Sequence, residues 1–252
     1  MSYRVSNFIG DNENLDVIER KGPFTVFQHL SDLSVVPQTA QTKFYMSQMA
    51  CTPKQLYCEC SGGVKTQAGA MQVMFGNVEQ TTGIKGAGDL LGKMVKGKVT
   101  GESTVKPEYI GSGTMLCEPT YKHLLIEDLE DWNGALACDD GMFFAAEACV
   151  KDSVQMRSNI SSVAGGKGLF NYMAKGTGCI VLESWCPREE LYVIDIKNDV
   201  VKVDGSNVVC WSGGLQFTVE RSGKTLIGSA VGGEGLVNVY RGTGRLLMAP
   251  RT

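Results

Sequence analysis

Histidine is almost missing from this chain, with only His29 and His123 among 252 residues. Histidine-based metal sites and Ser–His–acid catalysis therefore have few imidazoles to draw on. No run approaches the ~18 consecutive apolar residues of a membrane span. The opening MSYRVSNFIGDNENLD carries early acids and no apolar segment, so it reads as neither a signal peptide nor a transit peptide. A basic excess is absent too. With 24 Lys+Arg against 27 Asp+Glu the formal charge is −3, which argues against a surface built to follow a phosphate backbone. Helical periodicity is scarce. A cytoplasmic location is the expectation.

What the chain has in quantity is glycine, 31 residues, and cysteine, nine. Nine is odd, so the thiols cannot all pair within one chain, and without an export signal reduced cysteines are expected. Most sit in apolar runs, where a free Cys acts as a small hydrophobe. Cys58 and Cys60 form a C-x-C with Cys51 nearby, but a structural zinc site needs a second ligand pair, and none is present. Neither a metal site nor a cofactor is expected.

Alternating and β-branched stretches dominate: FTVFQ (24–28), KQLYCEC (54–60), AMQVMF (70–75), TMLCE (114–118), CIVLES (179–184), LYVIDI (191–196), LQFTVE (215–220) and RLLMAP (245–250). Glycine and Asn/Asp-Gly turns separate them, which predicts an all-β, mostly antiparallel fold. Three segments share one template: a glycine turn, about nine residues, Gly-Ser/Thr-Gly, then an apolar strand. The leading glycines of that motif are Gly111, Gly176 and Gly242, spaced by 65 and 66 residues. A second marker precedes each, ending in Gly69, Gly141 and Gly213. Repeated corners demand positive φ or close backbone approach, which glycine supplies without strain.

The prediction is a pseudo-threefold β-prism or barrel of antiparallel sheets over 50–252. Its repeats fall at about 57–119, 130–184 and 204–250, treated as one domain because units of ~65 residues bury too little alone. Residues 1–50 lie outside the repeat, with FTVFQ and TKFYMSQM expected as added strands on one edge. The first repeat carries an insertion, GIKGAGDLLGKMVKGKVTGES (83–103). Within it Leu90, Leu91, Met94 and Val95 form one face of a short amphipathic helix near 88–96, with Lys93 and Lys96 off that face.

TQAGAMQ (66–72), the TTGIKGAGDLLGK…GKVTGES insertion, PEYIGSGTMLCEPTYKH (107–123) and GGEGLVNVYRGTGRLLMAP resemble the "altered inheritance of mitochondria" biogenesis family, in its bacterial branch. The resemblance covers about 43–252. It implies a β-structure akin to the tryptophan RNA-binding attenuator protein, of double-stranded β-helix type, and no enzymatic chemistry, since the family has no catalytic motif to carry over. Fungal relatives are linked to mitochondrial inner-membrane organisation, a location not transferred to a chain without a transit peptide.

Motifs for chemistry fall short. SGKT (222–225) lacks the first glycine of a phosphate loop, because Thr218 stands there. Ala87 and Met94 break the same motif at 87–94, and Leu91 replaces the third glycine of G-x-G-x-x-G at 86–91. The acid pairs Glu127/Asp128, Glu130/Asp131, Asp139/Asp140 and Glu189/Glu190 read as solvated loops. His123 reads as a strand-end residue. Trp132, Trp185 and Trp211 lie near repeat corners, either packed on them or open for stacking.

Two functions remain. The first is a non-catalytic scaffold or interaction module acting through the 86–97 insertion (Leu90, Leu91, Lys93, Met94, Val95, Lys96) on a partner protein, a second copy or a membrane surface. The second is a small-molecule or oligonucleotide binder at the pseudo-threefold axis, where repeat alignment places Glu102, Lys167 and Glu234 at equivalent positions.

Overall fold

The computed structural model describes residues 3–81, 106–156, 170–205, 207–221 and 236–250. The helix expected near 88–96 lies outside them. The fold is all-β, with 58% strand, one sheet nearly closed into a barrel and a second forming a half-barrel. Sixteen strands build it among the described residues: β1 Leu15–Lys21, β2 Phe24–His29, β3 Lys54–Glu59, β4 Val64–Thr66, β5 Met71–Thr81, β6 Glu108–Cys117, β7 His123–Asp128 and β8 Ala135–Cys138 come first. They are followed by β9 Phe143–Glu147, β10 Lys151–Met156, β11 Phe170–Lys175, β12 Cys179–Ser184, β13 Tyr192–Asp204, β14 Val208–Ser212, β15 Gln216–Arg221 and β16 Leu236–Met248. The nine-stranded sheet runs β1-β2-β3-β6-β4-β9-β12-β7 with β5 also on β6. The seven-stranded sheet runs β10-β11-β8-β14-β16-β13 with β15 also on β16.

One pairing scheme recurs three times. In each unit a long central element has partners on both sides: β6 between β5 and the pair β3/β4; β11 and β12 between β10/β9 and β8/β7; β16 between β15/β14 and β13. The Gly-Ser/Thr-Gly motif sits at the middle of each central element, opposite a break in the neighbouring strand. Gly111 donates its N–H to the Cys60 carbonyl between β3 and β4, and Gly176 donates to Gly134 between β7 and β8. Gly242 pairs with Asp199 at the register break of β13. All three have positive φ, +146°, +107° and +119°. At Gly111 the requirement is steric as well: a Cβ there would lie 2.0 Å from the Asn77 carbonyl oxygen.

The likeness extends to irregularities. Each unit has a one-residue bulge at a matching place, at Gln72 between Met71 and Val73, at Phe144 between Phe143 and Ala145, and at Val209 between Val208 and Cys210. Bulges bend a strand and increase its twist, which lets a sheet curl toward closure. Units join by further antiparallel ladders, β4 with β9 and β8 with β14.

Alternating apolar residues fill three clusters. Phe24, Leu56, Met115 and Ile126 anchor one; Leu129, Trp132, Leu136 and Leu182 a second; Trp211, Phe217, Tyr240 and Leu246 a third. Trp211 lies between Phe217 and Tyr240, at ring-centroid distances of 5.2 and 5.3 Å. Trp132 and Trp211 are therefore core residues, whereas Trp185 is 70% exposed.

The N-terminal segment departs from expectation. FTVFQ is strand β2, paired to β3, but the TKFYMSQM stretch lies in and just past a helix, α1 (Ala40–Gln48), not a strand. The outer side of β2 is already taken by β1, and Ala, Gln, Lys and Met are good helix formers. No residue of α1 is buried.

Candidate functional site

Two features of the surface stand out, and neither lies where the sequence placed its candidates. The insertion residues Leu90, Leu91, Lys93, Met94, Val95 and Lys96, and the cluster Glu102, Lys167 and Glu234, are outside the described residues. The marker glycines are described: Gly69 and Gly141 take positive φ, while Gly213 donates its N–H to the Ala135 carbonyl.

The first feature is a pocket of about 280 Å³ where β1, β3, β7 and the short turn Arg188–Glu190 meet. Its polar lining is Glu19, Lys54, His123, Arg188 and Glu189, with Ile18, Leu124 and Leu125 as the apolar part. Lys54 is only 4% exposed. Its Nζ donates to the Thr52 carbonyl at 2.9 Å, one acceptor among the described residues for a group with three donors. Burial pushes the Lys54 ammonium below its ordinary pKa, opposed by Cys51. Burial also lowers His123, and the charge of Lys54 lowers it further against the pull of Glu189 and Glu190. A backbone bridge between Lys54 and Thr120 holds β3 beside the start of β7, so the Lys54 ammonium and the His123 ring line the same hollow.

Arg188 is committed to structure. Its Nη1 bonds Glu127 at 2.8 Å and its Nη2 bonds the Ile126 carbonyl at 3.0 Å, with Glu19 at 3.6 Å. Burial pulls its pKa down, but the carboxylates of Glu127 and Glu19 outweigh that and hold it up. Glu127 also accepts from Trp132 Nε1 at 3.0 Å. This corrects the loop assignment for two acids, Glu127 and Asp128, which both lie in β7; Glu127 is buried there, because a guanidinium and an indole satisfy it.

The second feature is a stretch of uncovered apolar side chains, Leu30, Leu33, Val35, Val36, Phe44, Tyr45 and Met49, with Leu33 and Met49 77% and 80% exposed. It is fastened to the body through Lys43, which bonds both Asp32 and Tyr121. Next to Tyr121, Lys122 lies 4.6 Å from the centroid of the exposed Trp185 ring and is paired with Glu183. The region thus carries aromatic and aliphatic groups whose two lysines are already neutralised. Sequence alone gave no sign of it, since the same residues in a strand would have been half covered.

Among the described residues no group of His, Cys, Asp and Glu could hold a metal ion, and no helix is long and apolar enough to cross a membrane. Comparisons with known proteins place the chain. An uncharacterized protein of Streptococcus pyogenes serotype M6 is 27% identical over 197 residues, covering 75% of this chain and 77% of the relative. A Streptococcus pyogenes protein with a crystal structure from structural genomics shares the fold, with a TM-score of 0.60, 21% identity and 94% of each chain covered. The sequence pattern described as mitochondrial biogenesis AIM24 matches residues 48–251, enclosing all three repeat units. With glycine corners, bulges and central strands recurring throughout that span, the chain belongs to the mitochondrial biogenesis AIM24 family.

Proposed function

We propose that this protein is a non-catalytic interaction module that rests on a lipid surface through the Leu30–Met49 stretch. The observation that carries the proposal is the run of seven uncovered apolar side chains within positions 30–49, a segment that Lys43 ties to Tyr121, next in the chain to Lys122, whose ammonium lies over the exposed Trp185 ring. Aromatic rings with a polar edge favour the boundary between hydrocarbon and water. Lys43 and Lys122 are paired with Asp32 and Glu183, so apolar insertion, not attraction to anionic headgroups, supplies the binding. All nine cysteines are free, which supports a reducing, cytoplasmic setting. The 86–97 insertion, whose sequence spacing predicts an apolar face of Leu90, Leu91, Met94 and Val95, is a second anchor in this proposal. Nucleic acid is not the partner, given the net charge of −3.

Sedimentation with phosphatidylcholine vesicles tests it. The wild-type chain is expected in the pellet, and Phe44→Ser/Tyr45→Ser/Met49→Ser in the supernatant, with Leu90→Asp/Met94→Asp reporting the second anchor. A wild-type chain that stays in the supernatant with phosphatidylcholine vesicles rules the proposal out, whether or not anionic vesicles carry it down.

A second reading is favoured by Lys54. An ammonium this buried with one carbonyl acceptor suits a ligand carboxylate, and Glu189 across the pocket suits an amine on the same molecule. The ligand class is then a small α-amino acid, within the size of the pocket. Addition of such amino acids is expected to raise Tm, while the matching carboxylic acids and amines do so less. The Lys54→Met variant is expected to lose the response and to melt higher when empty, because an uncompensated buried charge is gone. A response that survives in Lys54→Met sinks this reading.

A further inference from the structure

Among the described residues the three repeat units make two junctions. β4 of the first unit pairs β9 of the second, and β8 of the second pairs β14 of the third. No corresponding ladder joins the third unit to the first among the described residues: β13 ends its sheet, and β5 pairs with β6 alone.

The glycine frame specifies what the missing ladder would be. Three residues before the leading glycine, the central strand pairs Lys65 in the first unit, Ala137 in the second and Lys202 in the third. These positions are equivalent. Two residues after the motif's second glycine, Met115, Ile180 and Leu246 pair Met74, Ala146 and Trp211. These are equivalent as well. The observed junctions join the first set to the second, Lys65 with Ala146 and Ala137 with Trp211. By the same register the third would join Lys202 to Met74, flanked by Val201 with Phe75 and Val203 with Val73.

We infer that β13 of one molecule adds in antiparallel register to β5 of a second copy, through Val201–Phe75, Lys202–Met74 and Val203–Val73. Each edge leaves backbone donors and acceptors unpaired on one side, a template for another strand. Each also has a cognate edge built into the repeat, which its own chain does not bring to it but every other copy carries. The side chains fit the pairing. Two pairs are β-branched or aromatic, combinations that stabilise antiparallel sheets, and no like charges face each other. At the open edges Lys202 is exposed and Val201, Val73, Met74 and Phe75 are half-buried, with only Val203 turned into the core, whereas Ala137, Ala146 and Trp211 of the filled junctions are all buried. The contact is heterologous, one edge type meeting the other, so assembly proceeds head to tail into a ring or an open chain.

Complementation between two variants tests this. Val201→Lys disables the β13 edge and leaves β5 intact, and Phe75→Glu does the reverse. Wild-type protein is expected to show concentration-dependent mass above the monomer by light scattering, and each variant alone to be monomeric. An equimolar mixture is expected to give a dimer and nothing larger, joined by the one native β5–β13 contact left. Hydrogen exchange provides a readout that does not depend on the variants. In wild-type protein, amides of 199–203 and 73–75 should gain protection as concentration rises. A mixture that stays monomeric overturns the inference, as does protection of those amides already complete in the monomer, which would mean that the chain closes on itself.

Discussion

At the scale of single residues, burial decides chemistry. Seven of the nine thiols are buried, Cys149 is exposed and Cys51 is intermediate. Burial pushes the Cys60 thiol up to about 11, with Cys117 adding, and the Cys179 thiol up to about 12, with Glu147 adding. Thiols raised this far carry almost no thiolate at neutral pH and react slowly. Maleimide at pH 7 is therefore expected to modify Cys149 first and Cys51 more slowly, and the remaining seven only on unfolding, as read by peptide mass spectrometry. Glu220 makes a second, opposite case. The Arg241 guanidinium, then the Thr218 hydroxyl, hold its carboxyl at about 2. A depressed carboxylate pKa stabilises the fold above its unfolded value, and that contribution is lost as pH falls from about 4.5 toward 2. The pair is partly solvent-exposed, so the effect is about 0.5–1 kcal/mol. Glu220→Gln should lower stability at pH 7 by that amount and leave it unchanged near pH 2, as followed by urea titration at both pH values.

At the scale of elements, the same motif glycine does unequal work. Gly111, Gly176 and Gly242 share positive φ, yet only at Gly111 does the opposing strand fill the space where a Cβ would go. Gly176 has nothing within 4 Å of that point. Gly176→Ala is expected to cost about 1–2 kcal/mol, the conformational penalty alone. Gly111→Ala must push β5 off β6 and is expected to cost more than about 3 kcal/mol. Denaturant midpoints for the two variants check the ordering, and equal midpoints would contradict it. The glycine spacing was legible in the sequence because only glycine tolerates these corners. The bulges at Gln72, Phe144 and Val209 were not, because an amide, an aromatic ring and a β-branched side chain share no chemical signature. α1 was misread for a related reason. TKFYMSQM has enough aromatic and alternating character to pass for a strand, but its helix formers Lys43, Met46 and Gln48 fall within a nine-residue helix.

At the scale of the molecule, the units are not independent. The β4–β9 and β8–β14 ladders tie neighbours together, and Leu129 and Leu182 of the second unit share a hydrophobic cluster with Cys210 and Leu247 of the third. Opening one unit strips cover from the next, so unfolding should be cooperative. Calorimetry is expected to show one transition with equal calorimetric and van't Hoff enthalpies. Two resolved transitions would mean that a unit melts alone. The Lys54 pocket also belongs to this scale, since its lining comes from positions 18–19, 54, 123–125 and 188–189. No local pattern links those positions, which is why the sequence offered His123 as a strand end and passed over Lys54.

The sequence by itself determined the strands and the corners. Both are local demands, one for alternating burial and the other for backbone angles that a side chain forbids, and a local demand leaves its mark in the order of residues. Which edges would meet was decided only by tertiary structure, as were the depth at which Lys54 and Glu127 are buried and the exposure of α1. These depend on how strands far apart in the chain are brought together, and the free energy of such contacts belongs to the pair, not to either segment alone.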